Sequence, residues 1–307
     1  MSGPVEGRDE ACEDEPLPGL ELREGRSTEV GGLPVTRVLP TKGRRTVGAW
    51  CFVDCAGPAD AEEPDPMEVG PHPHIGLSTV TWLLEGEAVH TDSLGTEQVI
   101  RPGQLNLMTA GRGIGHAELA AQPPFRAVQL WVAQPEATRH GGNDFAHHAE
   151  LPGVELDEGG DALVLVGDFA GATSPARHDT PLVGVDLRPT RGRHALPLDP
   201  SFEHALVPFD GRIRVGGEVV EEGWLALVPG GPEELVVDVD EASRFLLLGG
   251  EPLGERIAMW WNFVARERDE LTEAWRAWQD RDTDRFGEVP SSLPRAEAPR
   301  PPWLAGA

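Results

Sequence analysis

Short runs in which apolar and polar residues alternate, each closed by Gly, Pro or Asp, restrict this chain more than any other feature. They include TVTWLLEGEAVHT at 79–91, EQVIRPGQLNLMT at 97–109 and FRAVQLWVAQ at 125–134, then DALVLVGDFAG at 161–171, GWLALVPGG at 223–231 and ELVVDVD at 234–240. A period of two sends successive side chains to opposite faces of a strand, and runs this short with frequent turn residues make an all-β sandwich or barrel. The set runs twice: EGEAVHTDSLGTEQVIRPGQLNLMTAG is echoed by DGRIRVGGEVVEEGWLALVPGG. Between the halves, over 135–160, the alternation lapses into polar, His- and Gly-containing sequence.

Two β-domains are therefore expected, over 31–150 and 151–287. One helix belongs to the second: in ARERDELTEAWRAWQD, Leu271, Ala274, Trp275 and Trp278 fall at i, i+3, i+4 and i+7 and make one apolar stripe that docks on a sheet. Residues 1–30 are acidic and poor in large apolar groups, which predicts a disordered arm. The segment 288–307, with SSLPRAEAPRPPWLAGA at its end, reads as a flexible tail.

Charge narrows the partners. With 26 Lys and Arg against 52 Asp and Glu, the net charge of −26 repels phosphate backbones and anionic lipid heads, so no direct nucleic-acid or membrane binding is expected. No apolar run approaches the ~18 residues of a membrane helix, and MSGPVEGRDEACEDEPLPGL lacks the basic and apolar regions of an export signal, so a cytoplasmic location is expected. Cys12, Cys51 and Cys55 form no disulfide framework and are read as buried or idle thiols.

The chemistry-bearing residues sit in two short segments. In GPHPHIGL, His72 and His74 stand at i and i+2, on one face of an extended strand that Pro71 and Pro73 stiffen. In TAGRGIGHAELA, His116 and Glu118 repeat that spacing. Two strands offering two ligands each can surround one ion with three imidazoles and a carboxylate. Such a set leaves octahedral positions open and suits Fe(II), Mn(II), Ni(II) or Cu(II) better than a closed structural zinc site. The glycines of AGRGIGH are followed by Pro123, Pro124 and another strand, not by the helix a phosphate loop requires. His90 is read as a hydrogen-bonding neighbour outside the ligand set.

These residues, HPHIGLSTVTWLLEGE, HTDSLG, IRPGQLNLMTAGRGIGHAE and QLWV, with LLLGGEPLGERIAMWWNFVARERDEL near the C-terminus, resemble the pirin family. The resemblance covers most of residues 33–280 and implies two tandem cupin (jelly-roll type) β-barrels with a short C-terminal helix. It implies one divalent metal, usually iron, with Mn, Ni, Cu or Zn as alternatives, held in the first barrel by His72, His74, His116 and Glu118. The general cupin motif would put a carboxylate where this chain has Thr79. Many pirins carry Arg after the second histidine where this chain has Ile75, which predicts a less cationic site mouth. The second barrel, with His178, His194 and His204 unpaired, is expected to be chemically silent.

Two functional readings follow from the resemblance. One is a metal-dependent dioxygenase of the quercetin 2,3-dioxygenase type, with a small aromatic substrate and Glu118 as both ligand and base. The other is a non-catalytic, iron-redox-responsive regulator acting through a protein partner. The open coordination positions favour the enzyme.

Overall fold

The computed structural model describes residues 16–57, 67–120 and 124–304. Cys12 and most of the acidic N-terminal segment lie outside them. Among the described residues, two barrels of the same design make up most of the chain, each a seven-stranded antiparallel sheet facing a four-stranded one. This is the all-β, tandem cupin architecture the sequence predicts.

In the first barrel the strands are β2 (Arg26–Val30), β3 (Leu33–Leu39), β4 (Trp50–Ala56), β5 (Met67–His74), β6 (Leu77–Glu85), β7 (Ala88–Asp92), β8 (Glu97–Ile100), β9 (Leu105–Thr109), β10 (Ile114–Ala120), β11 (Arg126–Ala133) and β12 (Asp144–His148). The larger sheet runs β12-β9-β6-β11-β4-β3-β2 and the smaller β5-β10-β7-β8. The next strand, Gly153–Glu155, already belongs to the second barrel's seven-stranded sheet.

The two large sheets are covered on both faces. On β6, Val80 and Trp82 point to the second barrel and join Trp50, Leu105 and Leu130 from the first with Val207, Phe209, Leu227 and Leu246 from the second in one buried cluster. Polar tips inside it are satisfied: Trp50 Nε1 donates to Val183 O at 3.1 Å, and Trp82 Nε1 donates to Asp186 Oδ2 at 3.1 Å, a carboxylate that Arg244 also grips at 2.6 Å. A buried Trp of this kind is worth about 3–5 kcal/mol against truncation to Ala, so the barrels are one folding unit at their waist.

Both chain ends depart from the sequence-based expectation. Of the arm expected to be disordered over 1–30, residues 21–30 are strand: β1 (Glu21–Glu24) pairs with Trp224–Val228 at the edge of the second barrel, and β2 pairs with β3. Leu17, Leu20 and Leu22 pack on the second barrel's core. The charged residues that suggested disorder are those that protect an exposed sheet edge.

The tail expected to be flexible over 288–307 is bound through residue 304. Trp278 Nε1 donates to Ala296 O at 3.0 Å, Trp275 Nε1 to Ala298 O at 3.1 Å and Trp260 Nε1 to Pro299 O at 3.0 Å. The Arg295 guanidinium stacks 3.3 Å above the Trp278 ring. Ala296 N–H donates to Pro71 O at 2.9 Å, and the strap lies so close to β5 that a Cβ on Gly70 would stand 1.9 Å from Pro294 O.

The helix α1 (Arg268–Gln279), opened by a capping box between Glu267 and Glu270, buries Leu271, Ala274 and Trp278 as its stripe requires. It docks on the hairpin Ala258–Trp260/Phe263–Ala265 and, with Ile75 and Phe286, forms an apolar cluster beside the first barrel. The helix expected to belong to the second domain thus covers the first. Its stripe specifies burial but not against which sheet.

Candidate metal centre

The site is made by strand register. β10 is flanked by β5 and β7, and pairing sets His116 opposite His72 on one side and Glu118 opposite His90 on the other. Residues i and i+2 share a face, so His74 joins the same patch. A one-residue irregularity between His116 and Glu118 on the β5 side re-aims the strand there. β5 is the sheet edge, the place where Pro71 and Pro73 cost no ladder hydrogen bonds.

Three imidazoles have their Nδ1 atoms engaged. His72 Nδ1 donates to Gly70 O at 2.9 Å and His74 Nδ1 donates to Asn262 O at 3.1 Å. His116 Nδ1 lies 3.3 Å from His90 Nδ1, while His90 Nε2 lies 3.1 Å from Asp92 Oδ2. Burial pushes the Asp92 carboxyl up, but His90 and the N–H groups of Thr96 and Leu94 outweigh it and hold it below the usual range. As an anion Asp92 accepts from His90 Nε2–H, and the neutral His90 that this orients offers its Nδ1 lone pair to His116 Nδ1–H. Every Nε2 of the three is then a free lone pair, the tautomer a metal needs.

Two of those lone pairs, on His74 and His116, face each other at 3.0 Å. They repel unless something positive lies against both. Burial and the neighbouring imidazoles hold His74 and His116 well below the ordinary imidazole range, which disfavours a proton in that place. Two ligands at right angles on an ion with bonds of about 2.1 Å stand about 3.0 Å apart, so the donor set fits a divalent metal.

Ligand atoms of His72, His74 and His116 lie within 4.8 Å of one another, and those of His90, His116 and Glu118 do so as well. The structure therefore joins all four sequence-predicted residues through His116 and adds His90. Both ring nitrogens of His90 are engaged, which makes it the orienting partner of His116. Sequence reasoning left it as a neighbour; the signal was its place in the buried alternation Ala88, His90, Asp92 of β7. Burial raises the Glu118 carboxyl, and Thr81 Oγ1 approaches its Oε1 at 3.3 Å.

His72, His90, His116 and Glu118 line a cavity of about 420 Å³. Its apolar wall is a stack in which Phe52 and Trp131 lie parallel at 3.9 Å, the Arg37 guanidinium caps Phe52 at 4.3 Å and His74 meets Trp131 edge-on at 5.1 Å.

Comparison with known proteins agrees with this frame. The family profile for pirin matches residues 32–132, and that for the pirin C-terminal cupin domain matches residues 183–286. The chain belongs to the pirin family. A Pseudomonas aeruginosa protein provisionally named a quercetin 2,3-dioxygenase is 46% identical over 289 residues, 92% of this chain and 91% of the relative. A pirin-like protein of Caulobacter vibrioides is 38% identical over 83% of this chain and 91% of its own. The crystal structure of quercetin 2,3-dioxygenase from Acinetobacter baumannii superposes with a TM-score of 0.88 at 44% identity, covering 92% of this chain and 96% of that one.

Two departures of this pirin from its family pattern now have a place. Thr79, where the general motif has a carboxylate, is buried and lines the cavity from β6, opposite Trp131 and Met108. Ile75 does not line the cavity. It bridges to Phe263 and packs in the cluster under α1, so the expected change at the site mouth is instead an apolar anchor for the C-terminal segment. Cys51 and Cys55 are free thiols that burial pushes up to about 12, which leaves them protonated and inert.

Among the described residues, no helix is long and apolar enough to cross a membrane.

Proposed function

We propose that this pirin is a metal-dependent dioxygenase of the quercetin 2,3-dioxygenase type, acting on a flavonol or a related small aromatic at one iron(II) held by His72, His74, His116 and Glu118. The observation that carries the proposal is the convergence of three imidazole Nε2 atoms near the half-buried Glu118 carboxylate, beside an apolar cavity of about 420 Å³ that His72, His116 and Glu118 line. That volume is within the roughly 300–1,000 Å³ of small-molecule sites. Relatives named as quercetin 2,3-dioxygenases, which cover nearly the whole chain, support the reaction class.

A bound divalent ion of this donor set supplies Lewis acidity and an electron path to dioxygen. The chain's residues do the rest. His90, Asp92 and the carbonyls of Gly70 and Asn262 hold the imidazoles in one tautomer. Glu118, its carboxyl raised by burial, is matched to accept the hydroxyl proton of a bound flavonol. The stacked Phe52 and Trp131 line the cavity with apolar surface that suits an aromatic substrate and keeps water out. The regulatory alternative gains nothing from the geometry, because His74 and His116 are each 1% exposed and so offer no surface to a partner.

The test is metal analysis with oxygen uptake on quercetin after loading separately with Fe(II), Mn(II), Ni(II), Cu(II) or Zn(II). One ion per chain and uptake with iron are expected, and His116→Ala should lose both. Uptake no greater than background in every metal-loaded form overturns the catalytic reading.

A further inference from the structure

One polar row crosses the inner face of the first barrel's large sheet. Strand register places His147, Asn106, Thr81, Gln129, Asp54 and Arg37 directly opposite one another on β12, β9, β6, β11, β4 and β3. The rows on either side are more apolar: Thr79, Met108, Trp131 and Phe52 on one, Leu83, Ala127, Ala56 and Val35 on the other. A polar row in such a setting should be closed on itself, since each buried N–H without a partner is costly.

This one is not closed. His147 Nδ1 donates to Asn106 Oδ1 at 2.7 Å, Thr81 Oγ1 donates to Gln129 Oε1 at 3.0 Å, and Arg37 takes both oxygens of Asp54, each at 2.6 Å. The row thus falls into three closed pairs. The amide groups Asn106 Nδ2 and Gln129 Nε2 are buried and have no partner. Across the strands Gln129 stands beside Asp54 and Asn106 beside Thr81, but neither amide N–H is within hydrogen-bonding geometry of those neighbours. Asn106, Thr81 and Gln129 all line the cavity that His72, His116 and Glu118 also line.

We infer that Asn106 and Gln129 are the substrate-reading residues of this cavity, donating to two acceptor oxygens at separated points of one planar, polyoxygenated, multi-ring aromatic. The inference rests on the cavity being the substrate site proposed above. The two residues are on strands separated by β6, two strand spacings or roughly 10 Å apart, which two or three joined rings span and a single ring does not. Thr81, between them, carries the contact to Glu118, so a ligand held at both ends lies across the metal-facing carboxylate. The apolar rows accept its faces.

The test is anaerobic titration of the iron-loaded protein with quercetin, followed by the ligand's absorption shift, in wild type, Asn106→Leu, Gln129→Met and the double variant. Catechol serves as the single-ring comparison. Each substitution removes an unpaired donor but also the acceptor of His147 Nδ1 or Thr81 Oγ1, so the two effects offset and the melting temperature of the ligand-free protein should change little. The quercetin Kd should rise about 3- to 10-fold for each variant and multiply in the double one, in line with a lost hydrogen bond. The catechol Kd should change less than about twofold for at least one of them. Gln129→Glu, which keeps shape and Oε1 but lacks the donor, should weaken quercetin as Gln129→Met does. An unchanged quercetin Kd overturns the inference, as does a fall in melting temperature that accounts for the weakening, or wild type that binds no quercetin. Quercetin that binds and responds to these substitutions without being oxidised leaves the inference standing and removes the dioxygenase reading.

Discussion

The two barrels share one frame and fill it differently. In the first, the strands of the small sheet pair His72 with His116 and His90 with Glu118. In the second, the small sheet pairs Leu196 with Leu235 and His194 with Val237, and its interior closes with Val164, Phe245 and Leu247. His194 there spends its Nε2 on Thr190 O at 2.9 Å. Both metal-competent clusters among the described residues lie in the first barrel. One barrel gives up packing to keep a cavity and buried polar groups, while the other supplies the apolar filling that keeps the pair folded. The waist between them, with Trp50 and Trp82, lets that stability be shared.

This division can be broken experimentally. The largest effect is expected from Leu235→Ala, which should cost about 2–5 kcal/mol in chemical denaturation while metal content stays at one ion per chain. Metal lost in step with stability would show that the barrels do not divide the work. Next is His90→Gln in the first barrel, which keeps a polar side chain but frees the His116 tautomer. Metal affinity by chelator competition should fall about 10- to 100-fold, with the melting temperature of the metal-free protein little changed. Affinity equal to wild type would remove His90 from the centre.

The third effect concerns pH. Burial holds His72 in the first barrel and His204 in the second down at about 4, against about 6.5 for an unfolded histidine. The unfolded chain therefore binds the extra proton first. The stability these neutral rings contribute is complete above about pH 6.5 and is lost as pH falls towards 4, by up to about 1.4 kcal/mol per pH unit for each ring. In the metal-free protein His204→Gln should flatten that acid-side slope by about one proton and leave the share of the first barrel. A slope that does not change would mean that His204 is not held neutral.

Local pattern made much of this legible. Alternation marked the strands, the repeat of hairpins marked two β-domains, and the i, i+2 pairs at 72/74 and 116/118 marked four of the five residues that the fold gathers into the candidate site. What escaped depends on contacts distant in sequence. The task of His90 follows from the pairing of β7 with β10, which no spacing within the chain reveals. The strap at 294–303 has no period, because its carbonyls are held by the indole N–H groups of Trp260, Trp275 and Trp278 rather than by a ladder. β1 is four residues long and half of them are glutamates, so its hydrophobic signal is a single leucine.

The hydrogen bond from His74 to Asn262 O joins residues 188 positions apart. During synthesis the HPH segment therefore leaves the ribosome long before the carbonyl that fixes the orientation of its second ring. A nascent first barrel can hold imidazoles but not the finished lone-pair geometry. That geometry is complete only once translation has passed the second barrel, so the order of synthesis separates the appearance of the HPH segment from the fixing of its second ring.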